Sequence, residues 1–249
     1  MSDDDKKNRW DYFRANPKAV IKSCKQAIHD NPGDSDAYVK LAKVYMELGQ
    51  YEEAEAACKK GICIDPQNVE GHYHLGSVYF DLESYEEAIK SYKHVISIKP
   101  DHTRAHVGLG VAYKKLGNCN EAIEVFKKAI LINSNDAAAY RNLGDTYYNL
   151  GQHQEAIEAY KQAIHLDSDD SYAYVHLGIV YEKRGRYEEG VQVCKQAIHL
   201  DPDNFLAHYV LGSLYLFVRN KKGALEEYRI LNNLDKDGAK ELLDLINND

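Results

Sequence analysis

The stretch "AYRNLGDTYYNLG" (Ala139–Gly151) decides the fold. Its apolar residues recur every three or four positions, from Tyr140 through Leu143 to Tyr147, which indicates one face of an α-helix. Gly144 lies in the middle of this run, although a glycine inside a helix costs about 1 kcal/mol relative to alanine. The missing side chain at Gly144 must therefore give an advantage in stability or function that offsets this cost.

The stretch returns along the chain at a fixed period of 34 residues, for example as "AHVGLGVAYKKLG" at Ala105–Gly117 and "AYVHLGIVYEKRG" at Ala173–Gly185. Such a period marks a repeat architecture, and this interpretation takes precedence over any other. We number positions from the first residue of each unit. The six units are residues 35–68, 69–102, 103–136, 137–170, 171–204 and 205–238.

Four positions of the unit carry the pattern. Position 7 is leucine and position 11 is tyrosine in all six units, while positions 8 and 20 hold only glycine or alanine. A turn signal near position 15 and a breaker near position 32 predict two helices, A and B, joined as a hairpin. We expect the small residue at position 8 to face the one at position 20, because this lets the two helix backbones approach closely.

This pattern resembles the tetratricopeptide repeat family, whose 34-residue unit has Leu-Gly, Tyr, Ala and Pro at these offsets. The resemblance covers residues 35–238 and implies an all-α fold, a right-handed superhelical solenoid of helix-turn-helix repeats. We interpret residues 1–34 as an acidic and aromatic lead-in with a degenerate half repeat, and residues 239–249 as a C-terminal capping helix. Bacterial scaffold proteins of this family, including the magnetosome-associated type, are similar in length and organisation, but no motif assigns that identity.

Composition excludes several classes of function. The net charge of −8 argues against non-specific binding of nucleic acid, which needs a basic excess. No apolar run reaches the roughly 18 residues of a membrane span, so we expect no direct membrane insertion. Five cysteines without a CxxC pair are typical of a reducing compartment. We therefore expect a cytoplasmic protein that reaches a membrane only through a partner protein.

Eleven histidines raise the question of a metal site or an enzyme. His102 and His106 are four residues apart on one helix side, but no third ligand is in evident register with them. At position 4, where the family usually has Trp or Tyr, we interpret the histidines (His72, His106 and His208) as packing residues. The sequence contains no P-loop, nucleophile elbow, HExxH or dinucleotide fingerprint. We expect no cofactor, no metal site and no catalytic residue.

The resemblance implies that helix A residues at positions 2, 5, 6, 9, 12 and 13 line a concave groove. In this chain those positions combine apolar and aromatic side chains with basic ones, as in many protein-binding surfaces. The predicted partner-binding residues are Tyr73, Phe80, Arg104, Val107, Val111, Lys114, Arg141, Tyr148, Tyr172, Ile179, Lys183 and Tyr209; Val175, Leu216 and Phe217 extend this set. The expected partner is a protein or peptide with apolar anchors and acidic residues.

Two rival hypotheses remain. In the first, Trp10, Tyr12 and Phe13 insert into the groove of another copy, a head-to-tail contact that would build a homo-oligomer. In the second, the chain is the regulatory or substrate-recruiting module of a larger enzyme or assembly machine. The carboxylate clamp of chaperone-binding members and the asparagine ladder of the glycosyltransferase-associated superhelix are both missing from the helix A positions.

Overall fold

The chain is an all-α helical repeat, as the sequence predicts. The computed structural model describes residues 16–248, which contain fourteen α-helices and no strand. The chain folds as two compact units that meet in sequence between Asn118 and Cys119, and we describe each unit by itself. Within residues 16–248, no helix combines the length and the apolar character needed to cross a membrane.

Unit 1 contains the half repeat, two complete repeats and helix A of the third. Its helices are α1 (Pro17–Asp30), α2 (Ser35–Glu47), α3 (Tyr51–Ile64), α4 (Val69–Asp81), α5 (Tyr85–Ile98) and α6 (Thr103–Lys115). Helices A and B of a repeat pack along each other, and each helix B also packs on the next helix A. Successive helices A touch as well, so α2, α4 and α6 lie side by side in one layer.

Unit 2 continues with the same packing from helix B of the third repeat to the end of the described chain. Its helices are α7 (Cys119–Ile132), α8 (Ala137–Asn149), α9 (His153–Leu166), α10 (Ser171–Lys183), α11 (Tyr187–Leu200), α12 (Phe205–Phe217), α13 (Lys221–Leu234) and α14 (Lys236–Asn248). In α14, Ala239, Leu242 and Ile246 are buried against α13, whereas Leu245 is exposed.

Each helix A begins at a side-chain cap. The residue at position 34 accepts a hydrogen bond from the backbone N–H three residues further on; the six caps are Asp34, Asn68, His102, Asp136, Asp170 and Asn204. The turn between helices A and B needs a left-handed residue at position 15, which is glycine in four repeats, with φ between 69° and 78°. Glu83 and Arg219 adopt the same conformation at this position, with φ of 57° and 58°.

The glycines at position 8 make room for a side chain of helix B. A Cβ atom on Gly76 would lie 2.8 Å from Cε1 of Tyr92, and one on Gly144 would lie 2.9 Å from Cδ1 of Tyr160. Both tyrosines occupy position 24 and are buried. The glycine that weakens helix A is therefore offset by a buried aromatic ring, which answers the question raised by Gly144.

This finding corrects the expected pairing of position 8 with position 20. In repeat 5 the two positions do approach, since a Cβ atom on Gly178 would lie 3.8 Å from the carbonyl oxygen of Gly190. The sulphur of Cys194, again at position 24, is nevertheless closer to it. Side-chain volume at position 24, more than backbone approach at position 20, explains the glycine in repeats 2, 4 and 5, whereas in repeat 6 a Cβ on Gly212 would meet Leu242 of α14 first.

The histidines at position 4 share one contact. Each places its Nε2 within 3.0 Å of the carbonyl oxygen of the proline six residues earlier; the pairs are His72–Pro66, His106–Pro100 and His208–Pro202. His106 and His208 are buried, and His72 is half-buried. His208 also bonds through Nδ1 to Glu227 Oε2 at 2.6 Å, and this hydrogen bond raises the pKa of His208. These rings thus pack helix A of repeats 2, 3 and 6 against the preceding loop.

Candidate protein-interaction face

The predicted groove residues divide equally between the two units. We call the side of helix A that carries positions 2, 5, 6, 9, 12 and 13 the helix A face. In unit 1 it contains Tyr73, Phe80, Arg104, Val107, Val111 and Lys114; in unit 2 it contains Arg141, Tyr148, Tyr172, Ile179, Lys183 and Tyr209. All twelve side chains are half-buried or exposed.

One member of the wider set does not belong to this surface. Val175 is only 1% exposed, and it packs with Ala197 and Ala207 in the core between repeats 5 and 6. Position 5 therefore does not always face outward. Val175 is covered at this position, whereas Tyr73, Val107 and Arg141 are only half-buried.

In unit 1 the exposed row of the face runs along α6. Arg104, Val107, Val111 and Lys114 are spaced by three or four residues, so they follow one side of the helix. Arg104 is exposed, and the other three are half-buried. A cation at each end with two valines between them can contact an extended segment that carries both apolar and acidic side chains.

Arg104 joins α6 to the preceding repeat. Its guanidinium carbon lies 5.0 Å from the ring centroid of Tyr73, in cation–π contact, and its Nη2 lies 3.5 Å from Oε1 of Glu70. The same carboxylate lies 3.7 Å from Nε2 of His74 and 3.9 Å from Nε2 of His102. Three nitrogen groups thus surround one half-exposed carboxylate without a short bond to any of them.

The two histidines of this cluster are neutral at neutral pH. Burial lowers the pKa of His74 to about 4, and burial also lowers the pKa of His102, helped by the charge of Arg104. The Nδ1 atom of His102 accepts the N–H of Ala105 at 3.1 Å as the cap of α6. In the neutral form the proton of His102 is therefore on Nε2, which points toward Glu70.

The suggested metal pair does not converge on one point. His102 uses Nδ1 as a helix cap, whereas His106 bonds to the carbonyl oxygen of Pro100 through Nε2 at 2.9 Å. Within residues 16–248, no group of three or more His, Cys, Asp or Glu side chains is arranged to hold a metal ion.

In unit 2 an equivalent cluster joins α8 to α10. Nη1 of Arg141 lies 2.9 Å from Oδ2 of Asp170, and the guanidinium carbon lies 5.3 Å from the ring centroid of Tyr172. Tyr172 in turn stacks on His176, with the ring centroids 3.9 Å apart. Asp170 is also the cap of α10, so one carboxylate ties Arg141 to the start of the next helix A.

Asp145 is the acceptor at the centre of this cluster. The hydroxyl of Tyr160 donates to its Oδ1 at 2.7 Å, and the hydroxyl of Tyr172 lies 3.4 and 3.5 Å from the two carboxylate oxygens. Burial and the neighbouring Asp145 raise the pKa of Tyr172 to about 12, and they also raise the pKa of Tyr160. Both phenols therefore stay protonated and act as donors.

A third polar contact joins α10 to α12. The hydroxyl of Ser213 donates to Oε1 of Glu182 at 2.5 Å. Burial raises the pKa of the nearby Tyr209, with further contributions from Glu241 and Glu182. The face of unit 2 is thus lined by carboxylates that accept hydrogen bonds from hydroxyl groups.

The sequence prediction selected none of the acidic members of the face. Glu70, Asp145 and Glu182 stand at positions 2, 9 and 12, which were identified as face positions, but only apolar and basic residues were selected there. These three residues could therefore have been identified from the sequence by their positions in the repeat. Trp10, Tyr12 and Phe13 lie outside the described residues.

Two family models match the chain. Residues 59–206, more than half of the chain, match the model described as "Cilia and flagella-associated protein 70 C-terminal domain", and residues 15–77 match one described as "Tetratricopeptide repeat". Together with the succession of helical hairpins, these matches define a helical repeat protein. The chain belongs to the tetratricopeptide repeat family, through the domain family that the first model describes.

Solved structures share the fold of this chain. The chain is similar to a chain of the structure "Crystal structure of APC/C hetero-tetramer Cut9-Hcn1", with a TM-score of 0.76 and 17% identity, over 92% of this chain and 46% of that one. It is similar to MamA, with a TM-score of 0.61 and 31% identity, over 65% of this chain and 95% of that one. It is also similar to YrrB, "a TPR protein with an unusual peptide-binding site", with a TM-score of 0.60 and 24% identity, over 75% of this chain and 96% of that one.

The first and third of these likenesses show the fold alone. The chain spans less than half the length of the Cut9-Hcn1 chain that it matches. No curated protein sequence matches it.

Proposed function

We propose that the chain binds a partner peptide on the helix A face of unit 1, and that this peptide carries an acidic residue beside apolar anchors. Tetratricopeptide repeat proteins are in general protein-interaction scaffolds and are typically non-catalytic. The observation that carries the proposal is the state of Arg104, an exposed cation that lies over Tyr73 and has only a long contact to Glu70.

An exposed ion pair of this kind is exchangeable. Arg104 and Glu70 are 64% and 51% exposed and 3.5 Å apart, so their contact is worth at most about 1 kcal/mol. A carboxylate on a partner can replace Glu70 at little cost. It would meet a guanidinium that the ring of Tyr73 already orients, and pre-orientation lowers the entropic cost of binding.

Apolar anchoring supplies the second part of the proposal. Val107 and Val111 follow Arg104 along α6, and because both are already half-buried, covering the rest of each would contribute less than the roughly 1.5–3 kcal/mol of a complete burial. Lys114 at the end of the row favours a second acidic residue on the partner. In unit 2 we propose that a partner contacts Tyr148, Tyr172, Ile179, Lys183 and Tyr209 in the same way. Arg141 is less available to a partner because it is paired with Asp170.

The experiment begins with a random peptide library displayed on phage and selected on the full chain. A selected peptide is then synthesised with a fluorescent label, and its dissociation constant is measured by anisotropy. We expect Arg104→Gln and Val107→Asp each to weaken binding about tenfold or more. The matched control is Lys60→Gln, which removes an exposed cation from helix B of repeat 1.

Selected peptides without acidic residues would contradict the proposed chemistry. Equal losses for Arg104→Gln and Lys60→Gln would contradict the proposed surface. The insertion of Trp10, Tyr12 and Phe13 into a groove, the cytoplasmic location and the alternative role as a module of a larger enzyme or assembly machine stay predictions.

A further inference from the structure

A pocket at the end of unit 2 lies between α12 and α14, and we call it the repeat 6 pocket. It has a volume of about 410 Å³, and its lining residues are Ser213, Leu216, Phe217, Arg219, Leu245 and Asn248. Phe217 is 53% exposed, Leu245 is 42% exposed and Leu216 is half-buried. The apolar part of the pocket is therefore open to solvent and available to a partner.

The repeat pattern shows why apolar side chains are exposed here. Leu245 stands at position 7 of α14, counted from Ala239, and the leucine at this position is buried in each of the six repeats. Phe217 stands at position 13, which is polar in the other five repeats; those residues are Glu47, Asp81, Lys115, Asn149 and Lys183. Repeat 6 thus places an aromatic ring where the other repeats have a polar side chain.

The ring of Phe217 is held in place without being covered. It stacks on Tyr187 of α11, with the ring centroids 4.4 Å apart and the two planes nearly parallel. A side chain that is already oriented loses less conformational entropy when a partner binds. Phe217 is therefore suited to contact a second apolar group.

The turn that follows α12 is basic. Residues 219–222 read "RNKK", and Arg219, Lys221 and Lys222 are exposed. Helix B of repeat 6 has no acid in its first turn, whereas helix B of every other repeat has at least one glutamate there. Between Asp203 and Glu226 the chain has no acidic residue, although its net charge is −8.

These cations have few partners of their own. In the described part of the chain, neither the guanidinium of Arg219 nor the ammonium group of Lys221 has a hydrogen-bond or ion-pair partner. Nζ of Lys222 lies 3.9 Å from Oε1 of Glu226, and both side chains are exposed, so this pair is weak. All three cations are therefore available to a carboxylate on a partner.

The same cations work against the local structure. Arg219 has a φ of 58°, in a left-handed turn position where four repeats have glycine. Lys221 and Lys222 begin α13, where the helix dipole favours acids over cations. Residues that oppose their local structure are expected at functional sites.

The two ends of the repeat 6 pocket differ in charge. At one end the hydroxyl of Ser213 donates to Oε1 of Glu182 at 2.5 Å, so a carboxylate already stands there. At the other end, six residues further along the chain, is Arg219. Glu182 would repel a carboxylate of the ligand and Arg219 would attract it. The pocket therefore fits a ligand that is apolar in one part and acidic in the part that lies at Arg219.

We propose that the repeat 6 pocket binds an acidic segment of a partner protein. A large apolar side chain of the segment contacts Phe217 and Leu245, and its carboxylates pair with Arg219, Lys221 and Lys222. The pocket includes positions 9, 12 and 13 of repeat 6 and thus the end of the helix A face, but it shares no residue with the row that begins at Arg104. It is a second site, which can exist without the proposed contact in unit 1.

The test uses a fluorescein-labelled synthetic peptide that contains two phenylalanines followed by three glutamates. Its anisotropy is followed on titration with the full chain at low ionic strength, where charges are least screened. We expect saturable binding to the wild type, and a loss of affinity of about tenfold or more in Phe217→Asn and in Arg219→Gly/Lys222→Glu. A peptide with lysines in place of the glutamates should lose affinity to the same extent.

The charge variant separates lost binding from lost folding. Glycine suits the left-handed turn and glutamate suits the first turn of a helix, so the free energy of unfolding of Arg219→Gly/Lys222→Glu should not fall below that of the wild type. The matched control, Arg229→Gln, removes an exposed cation of α13 outside the pocket and should change affinity less than about twofold. Arg104→Gln should also change it less than about twofold, because that residue belongs to the other site.

Four results would overturn the proposal: no saturable binding of the glutamate peptide, equal binding of the lysine peptide, full affinity in Arg219→Gly/Lys222→Glu, or an equal loss in Arg229→Gln. A loss in Arg104→Gln without a loss in the charge variant would place the peptide in unit 1 and would also contradict the repeat 6 pocket. Failure of the peptide-library experiment at Arg104 would leave these results unaffected.

Discussion

The clusters that join repeat 2 to repeat 3 in unit 1 and repeat 4 to repeat 5 in unit 2 contain the same contact with its residues exchanged. In unit 1 a tyrosine at position 5, Tyr73, meets an arginine at position 2 of the next repeat, Arg104. In unit 2 the arginine, Arg141, is at position 5 and the tyrosine, Tyr172, is at position 2. The cation-to-ring distances, 5.0 and 5.3 Å, are nearly equal.

The acid beside each arginine gives the two clusters different roles. Glu70 is 51% exposed and lies 3.5 Å from Arg104, whereas the side chain of Asp170 is 8% exposed and lies 2.9 Å from Arg141. The first pair can open toward a partner, and the second holds two repeats together. Repeat geometry fixes which positions meet, and we propose that the burial of the neighbouring acid decides whether the contact serves binding or stability.

The largest expected effect concerns a feature that repeats 2 and 4 share. In both, the buried tyrosine ring of position 24 lies beside the glycine at position 8. Gly144→Leu would force a side chain into the space of Tyr160, whose ring is buried and cannot withdraw. We expect the free energy of unfolding to fall by about 3 kcal/mol, measured by urea denaturation. Ala138→Leu, at an exposed position of the same helix, is the control and should change stability by less than about 0.5 kcal/mol. Equal losses in both variants would contradict the proposed packing.

The second effect separates the two arginines. Arg141→Gln removes the charge that pairs with the buried Asp170, and we expect a loss of about 2 kcal/mol in the free energy of unfolding. Arg104→Gln breaks only an exposed pair, so its loss should stay below about 0.5 kcal/mol. The same two proteins serve in the peptide-binding assay, where the order should reverse. If Arg104→Gln proved the less stable variant, the distinction between an open and a closed cluster would be wrong.

The sequence predicted the helices well because single positions determine them. Leucine at position 7 is buried in every repeat, and glycine or a polar residue at position 15 ends each helix A. The clusters were harder to predict because each contact joins position 5 of one repeat to position 2 of the next. Comparing equivalent positions shows a tyrosine and an arginine at each, but it does not show that Tyr73 meets Arg104.

The acceptors were missed for a related reason. Ser77 and Asp145 occupy position 9 in repeats 2 and 4 and accept from the buried tyrosines at position 24, a contact between two helices of one repeat. A search for apolar and basic groove residues passes over both. The repeat pattern also could not predict the burial of Val175, because that burial depends on contacts with Ala197 and Ala207 in neighbouring helices.

The third effect compares these two acceptors. The hydroxyl of Tyr160 donates to a carboxylate at 2.7 Å, whereas that of Tyr92 donates to the hydroxyl of Ser77 at 3.2 Å. Because hydrogen bonds to charged groups are stronger, we expect Tyr160→Phe to lower the free energy of unfolding by about 1.5 kcal/mol and Tyr92→Phe by about 0.5 kcal/mol. Chemical denaturation of Asp145→Asn alone and with Tyr160→Phe supplies the matched cycle. Additive losses would show that Tyr160 and Asp145 do not act as a pair.

The smallest effect is a pH dependence that belongs to unit 1 alone. His102 caps α6 by accepting the N–H of Ala105 at Nδ1, and a protonated Nδ1 cannot accept. Burial, followed by the charge of Arg104, lowers the pKa of His102 in the folded chain, with Glu70 opposing that shift. The folded state thus binds this proton less readily than the unfolded state, whose histidine has a pKa of about 6.5. The contribution of His102 to stability is therefore present above that value and is lost as the pH falls below it.

In unit 2 the equivalent cap, Asp170, is a carboxylate whose function does not require a neutral imidazole. We expect His102→Asn to remove this pH dependence, because an amide oxygen accepts the N–H at any pH. Asparagine already serves as this cap in Asn68 and Asn204. Between pH 7 and pH 5 the wild type should lose about 1 kcal/mol more stability than the variant in parallel urea titrations. His74 and His208 remain in both proteins, so the difference between the two curves reports His102. Parallel curves would mean that the cap survives protonation, and the contrast between the histidine cap of unit 1 and the aspartate cap of unit 2 would have no energetic consequence.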